Sequence, residues 1–214
     1  MTRHHAIAPV CAALLLAACA TQEPSVPPAL TLDALACDSE LKLTGAIPVV
    51  LSENKNAFEA AKPATAEFGS TCVTGSDGAR RSYAVFALPS LGEPYLLRVT
   101  SLPLGPTLLS PRLLLLDEHG RVLRERARDT FVFKGTALYS GVRAHPEERY
   151  LVVESDPASV GQEVPHIAGQ VQQTIASTGF VTIVIYSGSE QKRSLVYAHN
   201  GKVSVSAQRL PKAE

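Results

Sequence analysis

Tyr83-Ala84-Val85-Phe86-Ala87-Leu88, the turn from Pro89 to Pro94, and Tyr95-Leu96-Leu97-Arg98-Val99-Thr100-Ser101-Leu102 decide the fold class. In the first run Tyr83, Val85 and Ala87 alternate with Ala84, Phe86 and Leu88, and in the second Leu97, Val99 and Ser101 share a face. Side chains alternate with period two along a strand, so both runs predict strands. Downstream, Arg112 to Leu116 reads as a buried strand that ends at Asp117-Glu118-His119-Gly120. Gly120 can take positive φ there before Val122 and Leu123 resume, which is a hairpin signal. Thr130 to Phe133, Ala137 to Val142 and Arg149 to Glu154 continue as short β-rich segments. Phe180 to Tyr186 and Arg193 to Tyr197 follow, with Ser187-Gly188-Ser189 as a hairpin connection, and Asn200-Gly201 predicts a type I′ turn into a returning strand, Lys202 to Ala207.

Upstream the pattern is weaker. Leu32, Leu35 and Ala36, with Thr31 or Asp33 as cap, predict a short helix within 30–40. Ile47 to Leu51 reads as one strand, placed at an edge by Pro48, and Glu53 to Gly69 as a loop or a short helix at Ala57 to Ala61. About ten strands at regular spacing, with no long helix between them, predict an all-β protein: an antiparallel β-sandwich or jelly roll in a single domain over 31–214.

Composition agrees with a globular chain. Of 214 residues 45% are hydrophobic and 19% charged, and 20 Lys+Arg balance 20 Asp+Glu, which disfavours a disordered tail and a nucleic-acid partner. The start of the chain reads as an address. Arg3, His4 and His5 precede an apolar run from Ala6 to Ala18 that is too short to span a bilayer and the right length for a signal peptide, residues 1–18. Leu16-Ala17-Ala18-Cys19 resembles a bacterial lipobox, which implies lipidation of Cys19 and attachment to the membrane through an acylated N-terminus. Residues 19–30, with Pro24, Pro27 and Pro28, read as an extended tether, and Ala20 after the anchor favours the outer membrane. Each buried methylene of an acyl chain contributes about 0.8 kcal/mol, so two or more chains hold a near-neutral body. With Cys11 removed and Cys19 acylated, Cys37 and Cys72 remain as an even pair in an oxidising space and predict a disulfide.

Chemistry-bearing patterns are sparse. His119, His145, His166 and His199 lack metal-ligand spacing and read as solvated loop residues, so no metal and no cofactor are expected. Neither Gly-x-Ser-x-Gly nor a phosphate loop occurs, and Asp117 and Glu118 are adjacent, which is wrong for paired acid/base work. Arg121, Arg124, Arg126 and Arg128, interleaved with Glu118, Glu125 and Asp129, read as a mixed solvated strand edge rather than a phosphate-binding patch. Phe131, Phe133 and Tyr139 are the candidate sugar-stacking platform, with core packing as the competing reading.

Ser110-Pro111-Arg112-Leu113-Leu114-Leu115-Leu116-Asp117, the segment Asp129 to Phe133, Tyr139-Ser140-Gly141 and Arg149-Tyr150-Leu151-Val152-Val153 together resemble the maltose operon periplasmic protein family over Ser82 to Gln162. The same strand-turn-strand pattern is also similar to the pre-peptidase β-sandwich domains of secreted proteases. The resemblance implies a periplasmic β-rich protein associated with maltodextrin uptake, with no catalytic residues to carry over; the lipobox departs from it. The sequence thus points to a lipid-anchored, non-enzymatic accessory protein with an unidentified envelope protein partner and at most weak α-glucan binding, in the millimolar range or about 4 kcal/mol. The rivals are an envelope enzyme acting on glycan or peptidoglycan and a purely structural sandwich module.

Overall fold

The computed structural model describes residues 31–52, 62–177 and 182–210; within 165–194 the description is of the backbone. Fifteen strands form two packed six-stranded sheets and one three-stranded sheet among the described residues. The first sheet runs β1 (Ile47–Pro48), β5 (Arg80–Ala87), β12 (Tyr150–Ser155), β8 (Pro111–Leu116), β9 (Val122–Arg126), with β4 (Cys72–Thr74) on the far end of β5. The second runs β10 (Val132–Lys134), β11 (Ala137–Ala144), β6 (Tyr95–Leu102), β15 (Gly201–Arg209), β2 (Leu51–Ser52), with β3 (Ala64–Phe68) also on β15. The all-β sandwich expected from the alternation is therefore the fold.

Its core lies between the two sheets. Phe86, Leu113, Leu115, Leu151 and Val153 of the first face Leu97, Val99, Leu138, Val142, Val203 and Val205 of the second, all fully buried. Full burial of one such side chain contributes about 1.5–3 kcal/mol, so this layer is the main source of stability. The first sheet is covered on its other face as well. Val73, Tyr83, Val85, Leu114, Leu116 and Val152 form a second cluster beneath Leu41, Leu43 and Ala46 of an N-terminal arm. Burial on both faces explains why Leu113 to Leu116 is continuously apolar instead of alternating.

The arm is held by covalent and polar links. Cys37 and Cys72 are disulfide-bonded. Beside them the Asp38 N–H donates to the Cys72 carbonyl at 3.0 Å, the Thr74 N–H to the Asp38 carbonyl at 2.9 Å, and the Lys42 N–H to the Tyr83 hydroxyl at 3.2 Å. These links hold Asp38 in a parallel bridge with Val73, and the helix expected within 30–40 shrinks to one 3-10 turn, Leu32–Ala34, in which Thr31 makes no side-chain cap.

Other expectations are corrected by pairings that local sequence does not encode. Ile47 to Leu51 is two strands: β1 pairs parallel to β5 in one sheet and β2 parallel to β15 in the other, with Val49 buried at the crossing and Val50 exposed. Ala64–Phe68, read as loop, is a strand because β15 offers it an antiparallel edge; Ala57 to Ala61 lies outside the described residues. The sandwich is not purely antiparallel, since β7 (Thr107–Leu109) also pairs parallel to the end of β14 (Thr182–Ala198). Asn200-Gly201 makes no type I′ turn: that turn needs positive φ at both residues, no non-glycine residue described has it, and the chain there passes from β14 in one sheet to β15 in another. Ser187-Gly188-Ser189 is no connection either, for it lies inside β14, paired with Gln170 to Gln172 of β13 (Glu163–Ser177). Phe180 lies outside the described residues.

Candidate functional site

On the outer face of the first sheet, four charged residues stand on four successive strands: Arg81 on β5, Glu154 on β12, Arg112 on β8 and Glu125 on β9. Period two sets this face, because Tyr83, Val152 and Leu114 on the same strands belong to the outer cluster. The result is a ladder of alternating sign across the sheet. Glu154 Oε1 is 2.8 Å from an Arg112 terminal nitrogen and 3.6 Å from Arg81 Nε, and Arg112 Nε donates to Glu125 Oε1 at 2.6 Å. Arg81 also grips Asp77 through both of its terminal nitrogens.

Burial decides the electrostatics. Glu154 is only 3% exposed, and loss of solvent pushes its carboxyl above the usual range despite two arginines. The half-exposed Glu125 goes the other way, lowered by its bond to Arg112, and Asp77 is held well below the usual carboxylate range by Arg81. Arg81 Nε is buried without a hydrogen bond. Open grooves of about 350 and 310 Å3 flank the ladder. Because each guanidinium is already matched to a carboxylate and Arg81 and Glu154 are buried, only the Arg112–Glu125 end presents mixed charge to solvent, and the ladder offers no bare cation cluster for a phosphate.

The arginine-rich limb follows the same logic. β9 is an edge strand among the described residues, and of the cations along this limb Arg121 and Arg124 pair with acids other than the interleaved ones while Arg128 pairs with a tyrosine. Arg121 bonds Asp117 at 2.7 Å, Arg124 clamps the buried Glu148 at 2.6 and 2.9 Å, and Arg128 lies over the Tyr197 ring at 4.8 Å and donates to its hydroxyl. Glu148 also accepts from the His145 N–H at 2.8 Å and so closes the turn before β12.

A serine and a histidine far apart in sequence meet at the other end of the sheet. Ser155 Oγ is 2.7 Å from His199 Nδ1 and accepts from the Ser82 N–H at 3.0 Å, while Ser82 donates to the His199 carbonyl. Burial lowers the His199 pKa and keeps its ring neutral. His199 is thus not the solvated loop histidine the sequence suggested. Ser155 is fully buried, so the pair locks the β14–β15 crossing to β12 and does not present a hydroxyl to a substrate. No periodic signal links residues this far apart.

The aromatic trio is not brought together. Phe131 is buried in the core at 6% exposure, while Phe133 is 40% exposed. Register puts Phe133 opposite Leu138 and Tyr139 opposite Val132, so Phe133 and Tyr139 lie on opposite faces of the β10–β11 pair. A groove of about 450 Å3 opens between the arm and the sheet edges, lined by Lys42, Thr44, Thr65, Glu67 and Tyr83. Among the described residues no three His, Cys, Asp or Glu side chains are grouped to hold a metal ion, and Cys19 lies outside them.

Compared with known proteins, the chain matches no family model and no curated sequence.

Proposed function

We propose that this chain is a lipid-anchored, non-enzymatic accessory protein on the periplasmic face of the bacterial outer membrane, which presents the exposed Arg112–Glu125 end of its first sheet's charge ladder to an envelope protein partner. The observation that carries the reading is the Cys37–Cys72 disulfide: it ties the segment following the tether onto the sandwich, as suits an exported protein whose N-terminus is under tension from an anchor. The charge-matched ladder and its open grooves support a polar macromolecular partner over an enclosed small ligand. The burial of Ser155 supports binding over hydrolysis. The resemblance to maltose operon proteins suggests maltodextrin uptake as the setting, and the separation of Phe131, Phe133 and Tyr139 supports weak α-glucan binding at most.

Replacing Cys19 by Ser and fractionating the envelope tests the anchor. The reading expects the wild-type chain in the membrane fraction and the Cys19→Ser chain released by salt; equal retention of the two overturns it. Titration of the full chain with maltodextrins is expected to give millimolar shifts or none, and micromolar affinity would overturn the assignment of a protein partner.

A further inference from the structure

Between β14 and β15 the chain passes from one sheet to another through His199 and Asn200. Asn200 Oδ1 is buried there without a hydrogen bond, so the side chain that fastens the crossing is that of His199. Its Nδ1 lies 2.7 Å from Ser155 Oγ on β12, and its carbonyl accepts from the Ser82 hydroxyl on β5. Ser155 is fully buried and already accepts from the Ser82 N–H at 3.0 Å. A serine hydroxyl has one hydrogen, and when buried that hydrogen needs an acceptor. Nδ1 is the acceptor in place. The ring is therefore the neutral tautomer with its hydrogen on Nε2, and the Ser82 N–H, the Ser155 hydroxyl and Nδ1 are satisfied together.

Protonation upsets that arrangement. An imidazolium donates from both nitrogens, so Nδ1–H would face Ser155 Oγ and the Ser155 hydrogen would be left inside the protein with no acceptor. The charges nearby do little to offset this. Among the described residues Asp33, on the 3-10 turn, is the carboxylate that favours the charged ring, but its side chain is exposed and lies 3.7 Å from an Arg80 terminal nitrogen. On β5 Arg81 is held by Asp77, and on β12 Glu154 turns to the ladder. Asp156 accepts from the Ala158 N–H and the Ser159 hydroxyl, and on β15 Lys202 stands opposite Glu67. Burial prevails and holds the ring's pKa below its ordinary 6.5.

We propose that Ser155 and His199 form a proton-operated latch, in which the neutral ring fastens the β14–β15 crossing to β5 and β12 and a proton taken up at Nδ1 in mild acid releases it. With the folded pKa below 6.5, the opened crossing takes up the proton first. The latch's contribution is whole above 6.5 and is lost as pH falls from there through the folded value. Each unit between the two values makes opening about tenfold more frequent once both forms are protonated. Leu195 and Tyr197 beside the crossing stay anchored in the core, so the release is local to 199–201 and leaves the sandwich folded. Histidine is the side chain whose charge changes in this range, whereas an asparagine would offer an acceptor that does not titrate. The latch is independent of the anchor and the partner proposed above.

Nitrogen NMR of the His199 ring in the full chain is the direct test. Nδ1 is expected to carry no proton at about pH 7.5, and the ring to titrate below 6.5. Amide exchange at Ser82 and at 199–201, corrected for intrinsic rates, should rise between about pH 7.5 and about pH 5 by the factor that the measured pKa dictates, while β6 and the centre of β12 stay protected. His199→Asn keeps an oxygen near the place of Nδ1 and should abolish that rise. Ser155→Ala removes the hydroxyl that donates to Nδ1 and should move the ring's titration up toward 6.5, a change that a ring kept neutral by burial alone would not show. A proton found on Nδ1 at about pH 7.5, a titration at or above 6.5, or the same acid-induced exchange in His199→Asn overturns the proposal. If His199→Asn does not fold, the ring titrations of the wild type and of Ser155→Ala still decide.

Discussion

Removing the disulfide by Cys37→Ser with Cys72→Ser should loosen the arm before it loosens the sandwich. The two cysteines are 35 residues apart in sequence. Loop closure of that size removes about 13 cal/mol/K of chain entropy from the unfolded state, or about 4 kcal/mol at 25 °C. For a chain of this length each kcal/mol moves the unfolding midpoint by about 2–4 °C, so the double variant should melt about 8–16 °C lower. What remains to hold the arm is modest: the two Asp38–β4 backbone bonds, the Lys42–Tyr83 bond and the Arg80–Leu32 bond, each worth about 0.5–1.5 kcal/mol net, and the partly buried Leu41, Leu43 and Ala46. Hydrogen exchange should therefore rise first at 38–46 while β5, β6 and β12 stay protected. Calorimetry and exchange of the wild type, with and without reductant, alongside the double variant provide the measurement. A midpoint that moves by less than about 2 °C, or exchange that rises uniformly through the sandwich, would refute the claim that the crosslink stabilises the fold through the arm.

Three further outcomes follow from the polar contacts and the crossing point. Glu148→Ala takes the acceptor from the His145 N–H and leaves the partly exposed Arg124 guanidinium with the Arg143 carbonyl, and should cost about 1–3 kcal/mol by urea denaturation, with Glu148→Gln costing less. Along the ladder, pH should act with opposite signs at two carboxylates. The raised pKa of Glu154 adds stability that is complete below its ordinary 4.5 and lost as pH rises through the folded value; the lowered pKa of Glu125 adds stability present above 4.5 and lost as pH falls through its folded value. Urea midpoints between pH 7 and about pH 3.5 should show the wild type gaining on Glu154→Gln and losing ground to Glu125→Gln as acid is added, and a common sign would contradict the burial argument. Gly201→Ala would set a methyl group 2.8 Å from the backbone nitrogen and Cβ of Leu109, and should cost about 1–3 kcal/mol by thermal unfolding.

The alternation of Tyr83 to Leu88 and Tyr95 to Leu102 determined two central strands, and Gly120 after Asp117 determined the β8–β9 hairpin, because period two and turn chemistry are local properties that survive tertiary packing. The even pair Cys37 and Cys72 was legible for a similar reason: few cysteines leave few pairings. Long-range choices were not legible. Ile47 to Leu51 satisfies a strand pattern equally well in one sheet or divided between two, and only the free edges of β5 and β15 decide. Asn200-Gly201 carries a hairpin signature that is overridden because β15 pairs with β6 and not with β14. The charge ladder needed the strand order β5-β12-β8-β9, and the Ser155–His199 contact needed the ends of β12 and β14 to meet, neither of which leaves a trace in residue spacing. Strand formation in the strongly alternating runs is local and was determined by the sequence itself; which strand lies beside which is settled by burying the most apolar surface between the sheets, and that only the tertiary structure decided.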